Sequence, residues 1–219
     1  MTISRSRAVA HADLDVPMRA IPGNHDVGDN PWHRDAPNTI TEQRLLRYRG
    51  HFGNDYWVHD AGLWLLVGLN VQLFGSGLAA EAEQWEFLAS AASTAGARAI
   101  ALFVHKPLFH MDPGETDVNH RYVPPDHRRR LMDLLGAHLR LVASGHVHQH
   151  RRHRVDAVEY CWAPSTAFVL PDSRQPRLGT KHVGYIEYVL DGDRIDIRVE
   201  EPPQLINHNL DDFPAAYGH

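Results

Sequence analysis

The sequence predicts an α/β fold organised on a largely parallel sheet, and three observations lead there. Apolar runs of strand length alternate with helical patterns over the first two thirds of the chain. The runs at 63–69, 99–104 and 139–144 are apolar with little alternation, as expected of strands buried on both faces. Beyond residue 150 the pattern changes to short strands separated by turns. With 219 residues, 43% of them hydrophobic, the chain can bury a full core. We expect one domain over residues 1–200 and an extended carboxyl-terminal tail over 201–219.

Taken in order, residues 1–16 are polar and predict a short helix around 6–14 or a frayed end. An extended run at 16–21 is stopped by Pro22-Gly23, which sets Asn24, His25 and Asp26 on a loop at a strand's carboxyl end. Asp29-Asn30-Pro31 and Ala36-Pro37-Asn38 are turn signals, and a helix follows over 41–49, capped by Thr39 or Thr41. Runs at 56–59 and 63–69 flank Asp60-Ala61-Gly62 and predict a hairpin, with Asn70 directly after it. Residues 79–92 place Ala82, Trp85, Leu88, Ala89 and Ala92 on one helical face. The strand at 99–104 is halted by Lys106-Pro107, leaving His105 at its end. The loop at 108–124 is long and polar, and loops of this length in compact domains tend to be functional. A helix from Pro125 to 137 leads to the strand at 139–144 and then to Gly145-His146-Val147-His148. Strands at 153–158, 159–162, 183–190 and 194–199 complete the pattern.

Composition narrows the function. A formal charge of −5 and a pI near 6.4 give no global attraction to nucleic acid or to an anionic membrane. Cys161 is the only cysteine, so no internal disulfide forms. No apolar run approaches the roughly 18 residues a membrane helix needs, and the first 15 residues lack a signal peptide's apolar centre. The expectation is a soluble cytoplasmic protein. Histidine is the oddity, with 17 against 22 Lys plus Arg, so a single histidine carries little weight.

Ligands of parallel sheets bind beyond the carboxyl ends of strands, where Asn24, His25, His105, His146 and His148 all fall. Amide oxygen and imidazole nitrogen suit a borderline divalent ion such as Zn, Mn or Fe better than calcium. Singly, each is an ordinary turn or loop residue, and His148-Gln149-His150 shows that a His-x-His pair arises without a site. Jointly, three apolar strands each ending in a potential ligand point to one.

Gly23-Asn24-His25-Asp26, His105 before Lys106-Pro107, and Gly145-His146-Val147-His148, in this order, resemble the last three motifs of the calcineurin-like metallophosphoesterase superfamily. The resemblance is nearest to its bacterial cyclic-nucleotide phosphodiesterase branch, with Gln149 and Pro164-Ser165-Thr166 in keeping, and covers about residues 16–190. It implies a four-layer α/β/β/α sandwich with two divalent ions (Fe, Mn or Zn) between its sheets. It further implies that Asn24, His105 and His146 bind one metal, that His148 binds the other, and that His25 orients the phosphate and protonates the leaving oxygen. Asp26 either holds His25 in the right tautomer or simply forms the turn.

The chain departs from that pattern at its start. The superfamily's Asp-x-His and Gly-Asp motifs, which supply the bridging carboxylate, are absent, and His11-Ala12-Asp13 has the wrong order. The expected fold therefore lacks its amino-terminal strands. Three explanations are open: a start codon upstream of Met1, a shortened and catalytically impaired protein acting as a metal-binding or regulatory module, or a site completed by another chain, for instance in a homodimer. The substrate is expected to be a small phosphoester such as a cyclic nucleotide. His110, His120 and Arg121 either contact a second ester group or a base or are solvated loop residues, and Trp162 and Phe168 either stack on a base or belong to the core.

Overall fold

The computed structural model describes residues 16–32 and 38–213. In chain order the elements are α1 Asn24–Val27, α2 Glu42–Phe52, β1 Trp57–Ala61, β2 Trp64–Leu69, α3 Ala79–Ser93, β3 Ala99–Val104, α4 Pro125–Leu135, β4 Leu139–Ser144, β5 Arg151–Val155, β6 Val158–Trp162, β7 Tyr185–Asp191 and β8 Arg194–Glu200. Short 3-10 turns lie at Val71–Leu73 and Leu210–Asp212. The helix expected at 6–14 falls outside the described residues.

Six strands form one mixed sheet in the order β1-β2-β3-β4-β6-β5. The four central strands are parallel, and the two edges, β1 and β5, are the antiparallel partners of hairpins. The first hairpin turns where the sequence predicts. Gly62 takes φ 71°, a conformation open to glycine at no steric cost, and its N–H donates to Asp60 Oδ1 at 3.0 Å.

Strand alternation divides the apolar residues between two faces. Leu65, Val67 and Leu69 of β2, with Ile100, Leu102 and Val104 of β3, pack beneath Trp85 and Leu88 of α3 and Leu131 and Leu135 of α4. On the opposite face Trp64, Ala101, Leu141 and Cys161 meet Ile186, Tyr188, Leu190, Ile195 and Ile197 of the separate β7-β8 hairpin. A register shift between Ile100 and Ala101 lets both Leu139 and Val142 of β4 reach the helical face. Burial raises the Cys161 thiol above its ordinary range and leaves it unreactive.

The fold is thus mixed α/β around a central sheet, and three of the four expected layers are present among the described residues: helices, six-stranded sheet, two-stranded sheet. The outer side of the hairpin, with Tyr185, Glu187, Val189 and Asp191, is exposed. No helix among the described residues is long and apolar enough to cross a membrane.

Two local expectations change. Residues 16–21 form no strand, because Pro17 and Pro22 remove ladder donors at both ends; Ala20 instead gives its carbonyl to Trp57 Nε1 at 2.9 Å. The segment after Pro202 runs back over the fold, where Asn207 Oδ1 accepts from Val183 N, Asn209 bridges to Val169, and Leu210 is buried.

Sheet register now sets the site. Leu69 pairs with Val104, Val104 with Ser144, and Ser144 with Trp162, so all four parallel strands end at one level. Asn70, His105 and Gly145 therefore leave the sheet side by side, and Gly145 N extends the ladder by donating to His105 O at 3.0 Å.

Candidate metal centre

His105 enters the site because Gly23 has no side chain. A Cβ at residue 23 would lie 2.7 Å from His105 Cε1, so the imidazole occupies the space glycine leaves. The expected loop after Gly23 is one helical turn, α1, with Gly23 as its N-cap. Asp26 Oδ2 accepts from Gly23 N at 2.8 Å and closes that turn. The turn carries Asn24 to His105, with Asn24 Oδ1 at 3.0 Å from His105 Nε2.

The histidine loop after β4 is strained to reach the same place. His146 and His148 both adopt left-handed backbone, at φ 67° and 51°, which side chains with a Cβ rarely take. Residues between and beyond them hold that conformation. Val147 is fully buried against Tyr122 and Trp162, and Gln149, also fully buried, accepts from Leu178 N and Gly179 N. With Val147 and Gln149 turned inward, the histidines on either side of Val147 turn toward the pocket. His146 Nδ1 comes to 3.1 Å from His105 Nε2.

His148 Nδ1 lies 3.0 Å from the Phe168 carbonyl. A carbonyl only accepts, so Nδ1 carries the proton and Nε2 keeps its lone pair, the orientation ligating histidines commonly adopt. His105 is pushed down to about 3 by burial first and by the Lys106 charge second. Burial also depresses His146 well below its ordinary value, with His105 and Lys106 adding to it. Burial lowers His148 as well, against the opposing effect of the Phe168 carbonyl. The three rings are neutral near neutral pH, the form that donates to a metal.

Lys106 anchors this arrangement from behind, a role the sequence reading assigned only as a strand stop. Its side chain is fully buried, with Nζ 2.5 Å from Asp29 Oδ1 and 2.8 Å from Asn30 Oδ1. The Asn30 amide in turn donates to the carbonyls of Val71, Gln72 and Phe74. This network joins the segment that carries Asn24 to the ends of β3 and β2.

Together Asn24, His25, His105, His146 and His148 line one cavity of about 150 Å³. Phe168, Leu170 and Leu210 form its apolar wall, and Arg121 and Gln175 complete it. Phe168 lies against His148 with ring centroids 4.6 Å apart. Trp162 is instead 2% exposed and belongs to the core, and His110 stacks on Tyr122. His150, which mimics the spacing of a ligand, gives its Nδ1 to the Trp162 carbonyl.

Among the described residues the donor set fits one ion. Ligands about 2.1 Å from a shared ion and at right angles to one another stand about 3 Å apart, as Asn24 Oδ1, His105 Nε2 and His146 Nδ1 do at 3.0 and 3.1 Å. One ring proton on His105 cannot point along both directions, and a cation would relieve the facing lone pairs. Among the described residues no three of His, Cys, Asp and Glu are grouped to hold an ion by themselves, so the set depends on the Asn24 amide. Among the described residues that line the cavity there is no carboxylate to bridge to a second ion.

No protein-family model matches the chain. It is 31% identical over 152 residues to bovine serine/threonine-protein phosphatase CPPED1, an alignment covering 65% of this chain and 45% of that protein. The human protein of the same name is 28% identical over 151 residues, with the same coverage. The chain spans under half the length of these relatives. Among solved structures, a zebrafish dimetal phosphatase superposes with a TM-score of 0.45 at 13% identity, covering 73% of this chain and 65% of that one. PhoD gives 0.45 at 10% identity, covering 76% and 50%.

Proposed function

We propose that this chain is a calcineurin-like metallophosphoesterase that binds a divalent ion and hydrolyses phosphoester bonds. The observation that carries the reading is the convergence of Asn24, from the turn after Gly23, with His105 and His146, from the ends of β3 and β4, on one cavity. The similarity to proteins named as phosphatases supports it.

In this reading Asn24, His105 and His146 hold the ion, a borderline metal such as Zn, Mn or Fe by the donor types. A divalent ion there would neutralise phosphate oxygens and acidify a bound water. His148 keeps Nε2 bare and fixed in direction by its bond to Phe168 O. His25, next to Asn24 on the turn and lining the same cavity, supplies the proton for the leaving oxygen. Asp26 positions that turn through Gly23 N. The apolar wall of Phe168, Leu170 and Leu210 accepts the organic part of the ester.

The lack of a carboxylate among the described lining residues favours a second reading, a single-ion binding module without turnover. Hydrolysis of p-nitrophenyl phosphate and of its bis ester by the purified chain with Mn²⁺ separates the two. The enzyme reading expects turnover that EDTA and His146→Ala each reduce to background. A chain that binds the ion and turns over neither ester supports the module.

A further inference from the structure

The cavity holds a second set of polar groups that the metal site does not use. Among its described lining residues Arg121 is the single permanent cation, and no acid faces it. Other cations nearby are neutralised: Arg174 by Asp211 at 2.8 Å and Lys181 by Asp172 at 2.7 Å. Arg121 has no such partner among the described residues; its Nη2 donates only to the Arg174 carbonyl, at 3.2 Å.

That carbonyl belongs to the peptide bond joining Arg174 to Gln175, so the two polar liners are tied side by side. The orientation of the Gln175 amide follows from a chain of fixed donors. Gln149 Oε1 accepts from the backbone N–H groups of Leu178 and Gly179, at 2.7 and 3.0 Å, which identifies it as the oxygen. Gln149 Nε2 must then donate, and it does so to Pro176 O at 3.1 Å and to Gln175 Oε1 at 2.7 Å. The Gln175 oxygen is thereby committed, and its NH₂ is the group left for the cavity it lines. Gln149 is fully buried and Gln175 3% exposed, so neither amide turns freely.

Arg121 and Gln175 therefore present donors and no acceptor. A phosphomonoester carries three non-bridging oxygens and, above about pH 6, two negative charges; a diester carries two oxygens and one charge. A volume of about 150 Å³ encloses a phosphate group and its first substituent atoms, below the roughly 300 Å³ at which pockets enclose whole drug-sized ligands. We propose that Arg121 and Gln175 form an oxyanion subsite that selects the terminal phosphate of a phosphomonoester over a phosphodiester. The inference rests on the reading of this cavity as a phosphoester site and names its substrate class.

Because the subsite consists of protein groups alone, it is tested without metal. Binding of methyl phosphate and of dimethyl phosphate to the full chain is measured by calorimetry in EDTA at pH 8, for the unaltered protein, Arg121→Gln and Arg121→Lys. The unaltered chain is expected to bind the monoester at least about tenfold more tightly, since each charge-assisted hydrogen bond is worth about 1.5–3 kcal/mol. Arg121→Gln is expected to reduce that preference below about threefold, and Arg121→Lys to retain part of it. Circular dichroism and Mn²⁺ binding of the variants, expected to match the unaltered chain, separate loss of the subsite from loss of fold. Equal affinity for the two esters, no binding of either in the folded chain, or a preference that survives Arg121→Gln overturns the proposal. Failure of the metal reading would show separately, as an unaltered chain that binds no Mn²⁺.

Discussion

Lys106→Met is expected to destabilise the protein by about 3–5 kcal/mol, the usual cost of removing one partner from a buried ion pair. Nζ sits against Asp29 and Asn30 with its side chain fully buried, and Asp29 is almost as enclosed. Burial lowers the Lys106 pKa despite the attraction of Asp29, so the pair is expensive to desolvate and its merit lies in what it fixes. Removing the cation strands a carboxylate in the interior. In a domain of this size the loss corresponds to a fall in Tm on the order of 10 °C. Lys106→Met combined with Asp29→Leu is expected to recover much of it, because no uncompensated charge is then buried. Because the same network ties the Asn24 turn to the end of β3, the single variant should also weaken metal binding. An unchanged melting temperature in Lys106→Met would contradict this account of the anchor.

The second large effect is acid lability. His105 and His146 are neutral in the fold, with pKa values below the ordinary 6.5 chiefly through burial, whereas in the unfolded chain both titrate near 6.5. A lowered folded pKa means the unfolded state takes up the proton first. Above about pH 7.5 the two states bind alike and stability is flat. Below it, stability falls by up to about 1.4 kcal/mol per pH unit for each such ring, until the folded pKa, about 3 for His105, is reached. His148, His150 and His153 are also lowered by burial and add in the same direction. Urea unfolding of the metal-free chain at pH 8.5, 7.5 and 5.5 should give equal midpoints at the first two and a clear drop at the third. His146→Asn should make that drop shallower. A midpoint that does not change down to pH 5.5 would contradict the buried neutral state of these rings.

The sequence made legible what depends on local pattern. Unbroken apolar runs ending in Asn70, His105 and Gly145 identified the parallel strands, and their shared register then brought His105 and His146 together. The left-handed loop was not legible, because nothing in Gly145-His146-Val147-His148 announces that the histidines rather than the glycine carry positive φ. Long-range polar pairs were also hidden. Lys106 meets Asp29 across 77 residues, and Gln149 orients Gln175 across 26, with no periodicity to link either pair. Residues 16–21 carry the apolar content of a strand, but Pro17 and Pro22 deny them a ladder.

The most direct test of the central claim is the number of ions the purified chain binds. Calorimetric titration with Mn²⁺ or Zn²⁺, checked by metal analysis after dialysis, should find one ion per chain, with affinity reduced at least about 100-fold in His146→Ala. Two ions per chain, or binding that His146→Ala leaves intact, would contradict a single centre formed by Asn24, His105 and His146.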